Sequence, residues 1–286
     1  MKRYFAFFVF LFFTLSGVKT EEPDVFDALS SLDRVISSTT EEFTSQDEYY
    51  IGRAVAAHIL GQYAPYTKDP AMINYLNLIL GALTINSRYP YWFNGYHLMI
   101  LDSDIPNAYS TPGGHIFISR GLIDLVNSED MLAAVIAHEI AHIHLFHGIA
   151  EIKHERMIAD LYRQQEKIGL MTEKELAAER QSTFSDSISK MVNTLFVKGH
   201  SQLQEFEADS MAINLLVSAG YQPMGLIEML KVLDKYQLFN DGGLQKSHPL
   251  PAKRIFDADQ IASRFRVPNT DIYRKNRFTR IMGNRP

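Results

Sequence analysis

The spacing of apolar residues along the chain predicts a mainly helical protein. Apolar side chains recur at helical intervals over 25–36, 45–63 and 70–83, and again over about 201–218 and 223–239. Ser45-Gln46-Asp47-Glu48 has the form of a capping box that opens the second of these helices. Asp69-Pro70 suits the start of the third, and His248-Pro249 precedes a final helix.

The pattern changes between Tyr96 and Ser119, where alternating and β-branched residues predict strands. We expect strands over 97–101, 107–111 and 115–119, with Pro112-Gly113-Gly114 as a turn between the last two. The fold class that follows is α+β, mainly helical, with a small sheet ahead of the next helix.

That next helix, over 128–148, is strongly specified by its sequence. Ser128 is a good N-cap, Glu129 and Asp130 suit the positive end of the helix dipole, and Gly148 is the expected stop. Most of the residues between are apolar, which predicts a buried helix.

The same helix contains His138-Glu139-Ile140-Ala141-His142, which is a zinc-hydrolase pattern. Two histidines four residues apart share one helical face, so both imidazoles can reach one ion. Glu139 lies beside them and can accept the proton of a metal-activated water, so we predict it as the catalytic base.

A catalytic zinc needs a third protein ligand, which this helix does not supply. The extended metzincin pattern requires Gly at 145 and His at 148, where this chain has Leu145 and Gly148. Glu205 is the best candidate, with Asp209 one turn later on the same face as an acceptor for a ligating histidine. Glu207 points roughly 160° away from Glu205 and is expected to be a solvated or paired surface group.

The composition and the two terminal segments indicate the cellular location and the domain organisation. Residues 1–20, basic and then apolar, are typical of a cleaved signal peptide, so we expect an exported, periplasmic protein. The chain has no cysteine, and its net charge of −5 argues against nucleic-acid binding. The remaining 21–286 are predicted to form one domain, with a charged helical insertion at 149–200 and a basic tail at 264–286. That tail either packs on an acidic surface or touches anionic lipid.

Several motifs together resemble one family, the gluzincin metallopeptidases of the HtpX and CAAX prenyl-protease type, nearest to the soluble periplasmic BepA-like branch. The resemblance covers roughly 45–265 and rests on these segments: Asn107-Ala108, Pro112-Gly113-Gly114, Arg120-Gly121-Leu122, His138 to His142 with His147, Glu205 to Asp209, Ala219-Gly220-Tyr221 with Pro223, Ser247-His248-Pro249 and Arg254. It implies a zincin-type fold and one zinc ion per chain on His138, His142 and Glu205. Glu139 would be the base, and Asp209 would orient a ligating histidine.

The function that follows is a zinc-dependent metalloendopeptidase that cleaves unfolded or misassembled cell-envelope proteins. The rival hypothesis is a chaperone-like binding protein with a mainly regulatory or structural zinc site. The intact Glu139 favours the enzyme, because zinc binding without catalysis does not require it. The sequence does not predict the oligomeric state.

Three further residues are predicted to serve the site. Asn107 would anchor an extended substrate that pairs with its strand. His248 would lie near the zinc, either to stabilise the oxyanion or to occupy the open coordination position. Arg254 would pair with a carboxylate and so hold its helix. Five other histidines are expected to be surface or packing residues: His58, His97, His115, His154 and His200. His144 and His147 lie off the ligand face of the helix, and His147 is expected to be a structural hydrogen-bonding group.

Overall fold

The computed structural model describes residues 43–150, 199–237, 248, 251–268 and 271–283, together with a few helical positions between 152 and 193. The predicted signal peptide, the helix at 25–36, His154 and most of the insertion at 149–200 lie outside the described residues.

The described elements are mostly helices, with three short strands, which confirms the predicted mainly helical α+β class. The helices are α1 Ser45–Gln62, α2 Pro70–Thr84, α3 Arg120–Leu125, α4 Glu129–His144, α5 Gln202–Ser218, α6 Met224–Gln237, α7 Pro251–Ala262 and α8 Asp271–Met282. The strands are β1 His97–Leu101, β2 Ala108–Thr111 and β3 His115–Ser119, with a 3-10 turn at Pro112–Gly114.

Helix α4 is the central element of this fold. All of its residues except Asp130 are buried, and α5, α6 and α2 pack around it. The predicted N-cap is confirmed, because Met131 N donates to Ser128 Oγ at 3.2 Å. Polar side chains on so enclosed a helix must find partners inside the protein.

The sheet has β3 at its centre, parallel to β1 and antiparallel to β2. The bounds predicted for β1 and β3 are confirmed, whereas β2 begins one residue after Asn107. Strand β2 is therefore an edge strand among the described strands, yet all four of its residues are buried.

Alternating strand residues contribute to two apolar cores, one on each face of the sheet. Ile116 and Ile118 belong to the larger core, which α2, α4, α5 and α6 complete. Phe117 faces the smaller core with α1. Four apolar residues from the predicted insertion also join the smaller core: Ile149, Ile152, Ile188 and Val192.

The turn after β2 lies in backbone contact with α1. A Cβ atom on Gly52 would meet Pro112 O at 1.8 Å, and one on Gly113 would meet Tyr49 Cα at 2.3 Å. Gly113 also has φ 75°, a conformation that favours glycine. Glycine is therefore required on both sides of this contact.

Two predicted helix ends were wrong. The capping box of α1 is Thr44 with Asp47, since Asp47 N donates to Thr44 Oγ1 at 3.2 Å and Thr44 N donates to Asp47 Oδ2 at 2.7 Å. Helix α4 ends at His144, and Gly148 is not its stop, because Phe146 already takes a left-handed φ of 58°. Phe146 is held there by packing against distant aromatic rings, which local sequence does not reveal.

The described part of the basic tail packs on an acidic surface. Arg274 Nε lies 3.0 Å from Asp130 Oδ2, and Arg277 forms an ion pair with Glu129. Helix α8 is thus tied to the first turn of α4.

Candidate metal centre and active site

Three segments that are distant in sequence bring their polar side chains to one buried point. His138 and His142 come from α4, Glu205 from α5, and His248 from the residues before α7. One donor atom from each of the four lies within 4.8 Å of the others. The structure therefore brings together the three predicted ligands and adds His248 to them.

The spacing of these donor atoms fits a four-coordinate ion. Bonds of about 2.0–2.1 Å in a tetrahedron place neighbouring ligand atoms about 3.3–3.4 Å apart. His138 Nε2 lies 3.1 Å from His142 Nε2, 3.2 Å from His248 Nδ1 and 3.5 Å from Glu205 Oε2. Glu205 Oε1 lies 3.5 Å from His142 Nε2 and 2.9 Å from His248 Nδ1.

The charges around this point favour a cation. Burial raises the pKa of Glu205, but the Arg254 guanidinium and the neighbouring histidines together outweigh burial and hold that pKa well below its usual range. Burial also opposes protonation of His138, but Asp209 and Glu205 outweigh it and raise its pKa to about 9. Burial and His200 act the other way on His142 and hold its pKa well below its usual range, so positive charge is favoured at His138 but not at His142. Four converging imidazole and carboxylate donors are the donor chemistry of a metal site.

Arg254 and Asp209 form the layer behind the donor group. Asp209 Oδ1 lies 3.0 Å from His138 Nδ1, on the side of the ring away from the other donors. Arg254 donates to both Asp209 oxygens at 2.7 Å, and its Nη1 lies 2.5 Å from Glu205 Oε2. One guanidinium thus links the carboxylate of the donor group to the carboxylate behind it.

Glu139 lies beside the donor group and is 2% exposed. Its Oε1 lies 3.4 Å from His248 Nε2. Its Oε2 is buried without a hydrogen-bond donor among the described residues. A buried carboxylate oxygen without a partner costs free energy, which a bound molecule in the site would recover.

Asn107 is buried and has partners close to it in sequence. Its Nδ2 donates to the Tyr109 hydroxyl at 2.5 Å, and its Oδ1 accepts from Ala108 N at 2.9 Å. The pKa of Tyr109 is raised by burial, by Tyr63 and then by the charge of Glu139, which places Tyr109 near Glu139. Anchoring of a substrate by Asn107 stays a prediction.

Three residues near the centre were not predicted to belong to it. His200 stacks on the His142 ring at 4.0 Å, His147 contacts His142 on its Nδ1 side, and Glu207 lies next to His147. His147 was predicted as a hydrogen-bonding group and Glu207 as solvated or paired, and both descriptions hold. The contact of His147 with His142 follows the turn at Phe146, so helical periodicity gave no signal for it.

The remaining described histidines lie elsewhere. His58 is exposed, His97 and His115 stack on each other beside α1, and His144 stacks on Trp92. These positions agree with the prediction that His58, His97 and His115 are surface or packing residues and that His144 lies off the ligand face.

Fold and site together define a class of protein, the zincin-type metallopeptidases, in which a HExxH helix carries the metal donors and the adjacent glutamate. A model of Peptidase family M48 matches residues 74–262, which is more than half of the chain. The chain belongs to Peptidase family M48, and the predicted resemblance is confirmed.

Among similar proteins is the beta-barrel assembly-enhancing protease of Escherichia coli K12, 25% identical over 85% of this chain and 50% of the relative. The mitochondrial metalloendopeptidase OMA1 of Schizosaccharomyces pombe is 26% identical over 56% of this chain and 44% of its own length. Metalloprotease LoiP of E. coli K12 is 29% identical over 52% of this chain and 55% of its own length. The chain spans about half the length of these relatives. Within the described residues, no helix is both long and apolar enough to cross a membrane.

Proposed function

We propose that the protein is a zinc-dependent endopeptidase that cleaves unfolded or misassembled proteins of the cell envelope. The observation that carries this proposal is the position of Glu139, with one buried oxygen lacking a donor, beside four donor atoms spaced for one ion. A site that served metal binding alone would gain nothing from a buried carboxylate left in that state.

The proposed ligands are His138, His142 and Glu205, holding one zinc ion per chain. Two imidazoles and a carboxylate are a ligand set of catalytic zinc in peptidases. Bound zinc would polarise the scissile carbonyl and acidify the attacking water. Asp209 would fix the ring of His138 by accepting its Nδ1 proton, and Arg254 would hold Asp209 and Glu205 in place.

Glu139 would act as the base and then as the acid. Its carboxylate would take the proton of the attacking water and deliver it to the nitrogen of the leaving amine when the peptide bond breaks. His248 lies within reach of both Glu139 and the donor group. Of the two predicted roles for His248, its position favours occupation of the fourth coordination position, which would keep substrate out until the side chain moves away.

The proposed substrate is an extended peptide segment, as an unfolded protein would offer. Strand β2 is an edge of the described sheet, and an edge strand pairs with an extended chain. Asn107, immediately before that strand, would anchor the peptide. The buried state of β2 means that the covering residues must move before pairing occurs.

The envelope setting rests on two supports. Residues 1–20 have the pattern of a signal peptide, and one similar protein is named for beta-barrel assembly. We therefore propose an exported, periplasmic protein. Any contact of the basic tail with a membrane surface would involve tail residues other than Arg274 and Arg277, which are paired with acidic side chains.

The chaperone-like alternative has one observation in its favour. His248 completes a set of four protein donors, and closed sets of four are typical of structural zinc sites. Under this alternative the protein would bind unfolded chains, and Glu139 would not matter.

The experiment that separates the two is casein digestion by the purified protein and by Glu139→Gln, with zinc content measured in both. We expect the variant to retain zinc and to lose activity by about 10²- to 10⁴-fold. Glu228→Gln removes an exposed carboxylate from α6 and is the matched control, expected to digest casein normally. Equal digestion by wild type and Glu139→Gln would refute the peptidase proposal.

A further inference from the structure

The chain turns at Leu145 and Phe146, immediately after the helix with the proposed metal ligands, and the histidine that follows this turn lies against the site. Leu145 caps α4 through a hydrogen bond from its N–H to Ala141 O, and Phe146 follows with φ 58°. A bulky residue in this left-handed conformation is uncommon and needs support from its surroundings. The Phe146 ring packs against Tyr89 at 6.0 Å and Trp92 at 5.9 Å.

His147, the next residue, lies against the rear of His142. The two Nδ1 atoms are 2.8 Å apart, and His147 Nε2 lies 3.4 Å from Glu207 Oε2. His147 is 5% exposed, whereas the Glu207 side chain is 45% exposed. A row of contacts therefore runs from the metal centre through two imidazoles to a carboxylate at the surface.

The nitrogen that His142 directs at the donor group determines where the protons in this row of contacts lie. His142 directs Nε2 at the donor group, so its neutral ring carries its proton on Nδ1. Among the described residues, His147 Nδ1 is the acceptor at hydrogen-bond distance from that N–H, so it must be the unprotonated nitrogen of its ring. The proton of His147 is consequently on Nε2, where Glu207 Oε2 can accept it.

We propose that His147 and Glu207 position the metal ligand His142, as Asp209 positions His138. The inference rests on the proposed metal site but not on the proposed peptidase activity. Helix α5 would then supply three carboxylates to one centre: Glu205 as a ligand, Asp209 directly behind one histidine, and Glu207 behind the other through His147.

The two positioning arrangements differ in strength for a physical reason. Asp209 is 2% exposed and is held by Arg254, so its effect on His138 acts at low dielectric. Glu207 is partly in water, which screens its charge, so its own contribution is small and most of the effect belongs to the His147 acceptor. His200 stacks on the His142 ring at 4.0 Å and restricts tilting, which leaves rotation in the ring plane for His147 to fix.

The test is zinc affinity, measured by competition with a chelator on the full chain, in three variants. His147→Leu removes the acceptor and should weaken zinc binding by about 10- to 100-fold, the usual effect of losing a partner of a metal-bound histidine. His147→Asn places Oδ1 near the lost Nδ1 and should recover most of that loss. Glu207→Gln keeps an acceptor without the charge and should weaken binding by less than about tenfold.

Glu228→Gln, on an exposed position of α6, is the control for loss of one surface charge and should bind zinc as the wild type does. Thermal unfolding of each variant, with zinc present, establishes that it is folded. Zinc affinity of folded His147→Leu within about twofold of wild type would overturn the proposal, and so would a His147→Asn affinity as low as that of His147→Leu. A wild-type chain that binds no zinc would overturn it together with the metal site.

These results are separable from failure of the proposed function. If Glu139→Gln digests casein normally, the peptidase proposal fails. The order of zinc affinities predicted for the variants at position 147 is tested independently, by the chelator competition. A role of His147 in packing alone would lower the unfolding temperature in both variants without separating their zinc affinities.

Discussion

Replacing Arg274 tests whether the basic tail is part of the domain or an appendage. Arg274 on α8 is 5% exposed, and its Nε lies 3.0 Å from Asp130 Oδ2. Its Nη1 also donates to Gly220 O at 3.1 Å, at the end of α5. The substitution Arg274→Met removes the charge and keeps most of the apolar stem, so it isolates the polar contacts from the packing.

The expected loss of folding free energy depends on the contacts that Asp130 keeps in the Arg274→Met variant. Removing one partner of a buried ion pair costs about 3–5 kcal/mol, because the other charge is left uncompensated. Asp130 is 14% exposed, still accepts from Gln222 N at 2.8 Å, and sits in the first turn of α4, where the helix dipole favours an anion. We therefore expect the low end of the range, about 3 kcal/mol. For a domain of this size that corresponds to a fall in Tm of roughly 6–12 °C.

The assay is urea and thermal unfolding of the protein with zinc added, carried out as a double-mutant cycle with Asp130→Asn. The double variant should be less destabilised than the sum of the single variants, since no buried charge is left alone. Lys275→Met removes the same charge from an exposed position of α8 and should stay within about 0.5 kcal/mol of wild type. Equal stability of Arg274→Met and Lys275→Met would refute the reasoning.

Three further predictions concern other regions. Gly52→Ala should displace the Pro112 turn and destabilise the protein by about 1–3 kcal/mol, whereas Gly61→Ala, with open space around the glycine, should not; urea unfolding compares them. Burial, only partly offset by Lys153, raises the pKa of Glu48 to about 7. Because its ionisation is disfavoured in the folded state, stability is full below the ordinary pKa of about 4.5 and is lost as the pH rises through 7. Glu48→Gln should therefore match wild type near pH 4 and exceed it by up to about 3 kcal/mol at pH 8, and an equal difference at both pH values would contradict this. His248→Ala should raise casein turnover, since it opens the fourth position, while a fall of about 10²- to 10³-fold would instead assign it to the oxyanion.

Local patterns in the sequence determined the elements and the chemistry of α4. Apolar spacing predicted α1, α2, α5 and α6 but not α3 or α8, and the alternation around the Pro112–Gly114 turn predicted β1 and β3 with their observed bounds. His138, Glu139 and His142 are readable because four residues make about one helical turn, so the sequence alone places both imidazoles on one face. The same periodicity put Glu205 and Asp209 together on α5 and directed Glu207 away from them.

Tertiary structure decided everything that depends on how separate segments meet. His248 lies 110 residues from His138 and reaches 3.2 Å from it, a distance that no local pattern encodes. The turn at Phe146, whose ring is held by Tyr89 and Trp92, ends α4 at His144, four residues before Gly148, and that early end brings His147 to His142. Ion pairs of α8 with Glu129 and Asp130 likewise arise between opposite parts of the chain. Periodicity fixes which residues share a face, but packing energies, summed over distant side chains, fix which faces come together.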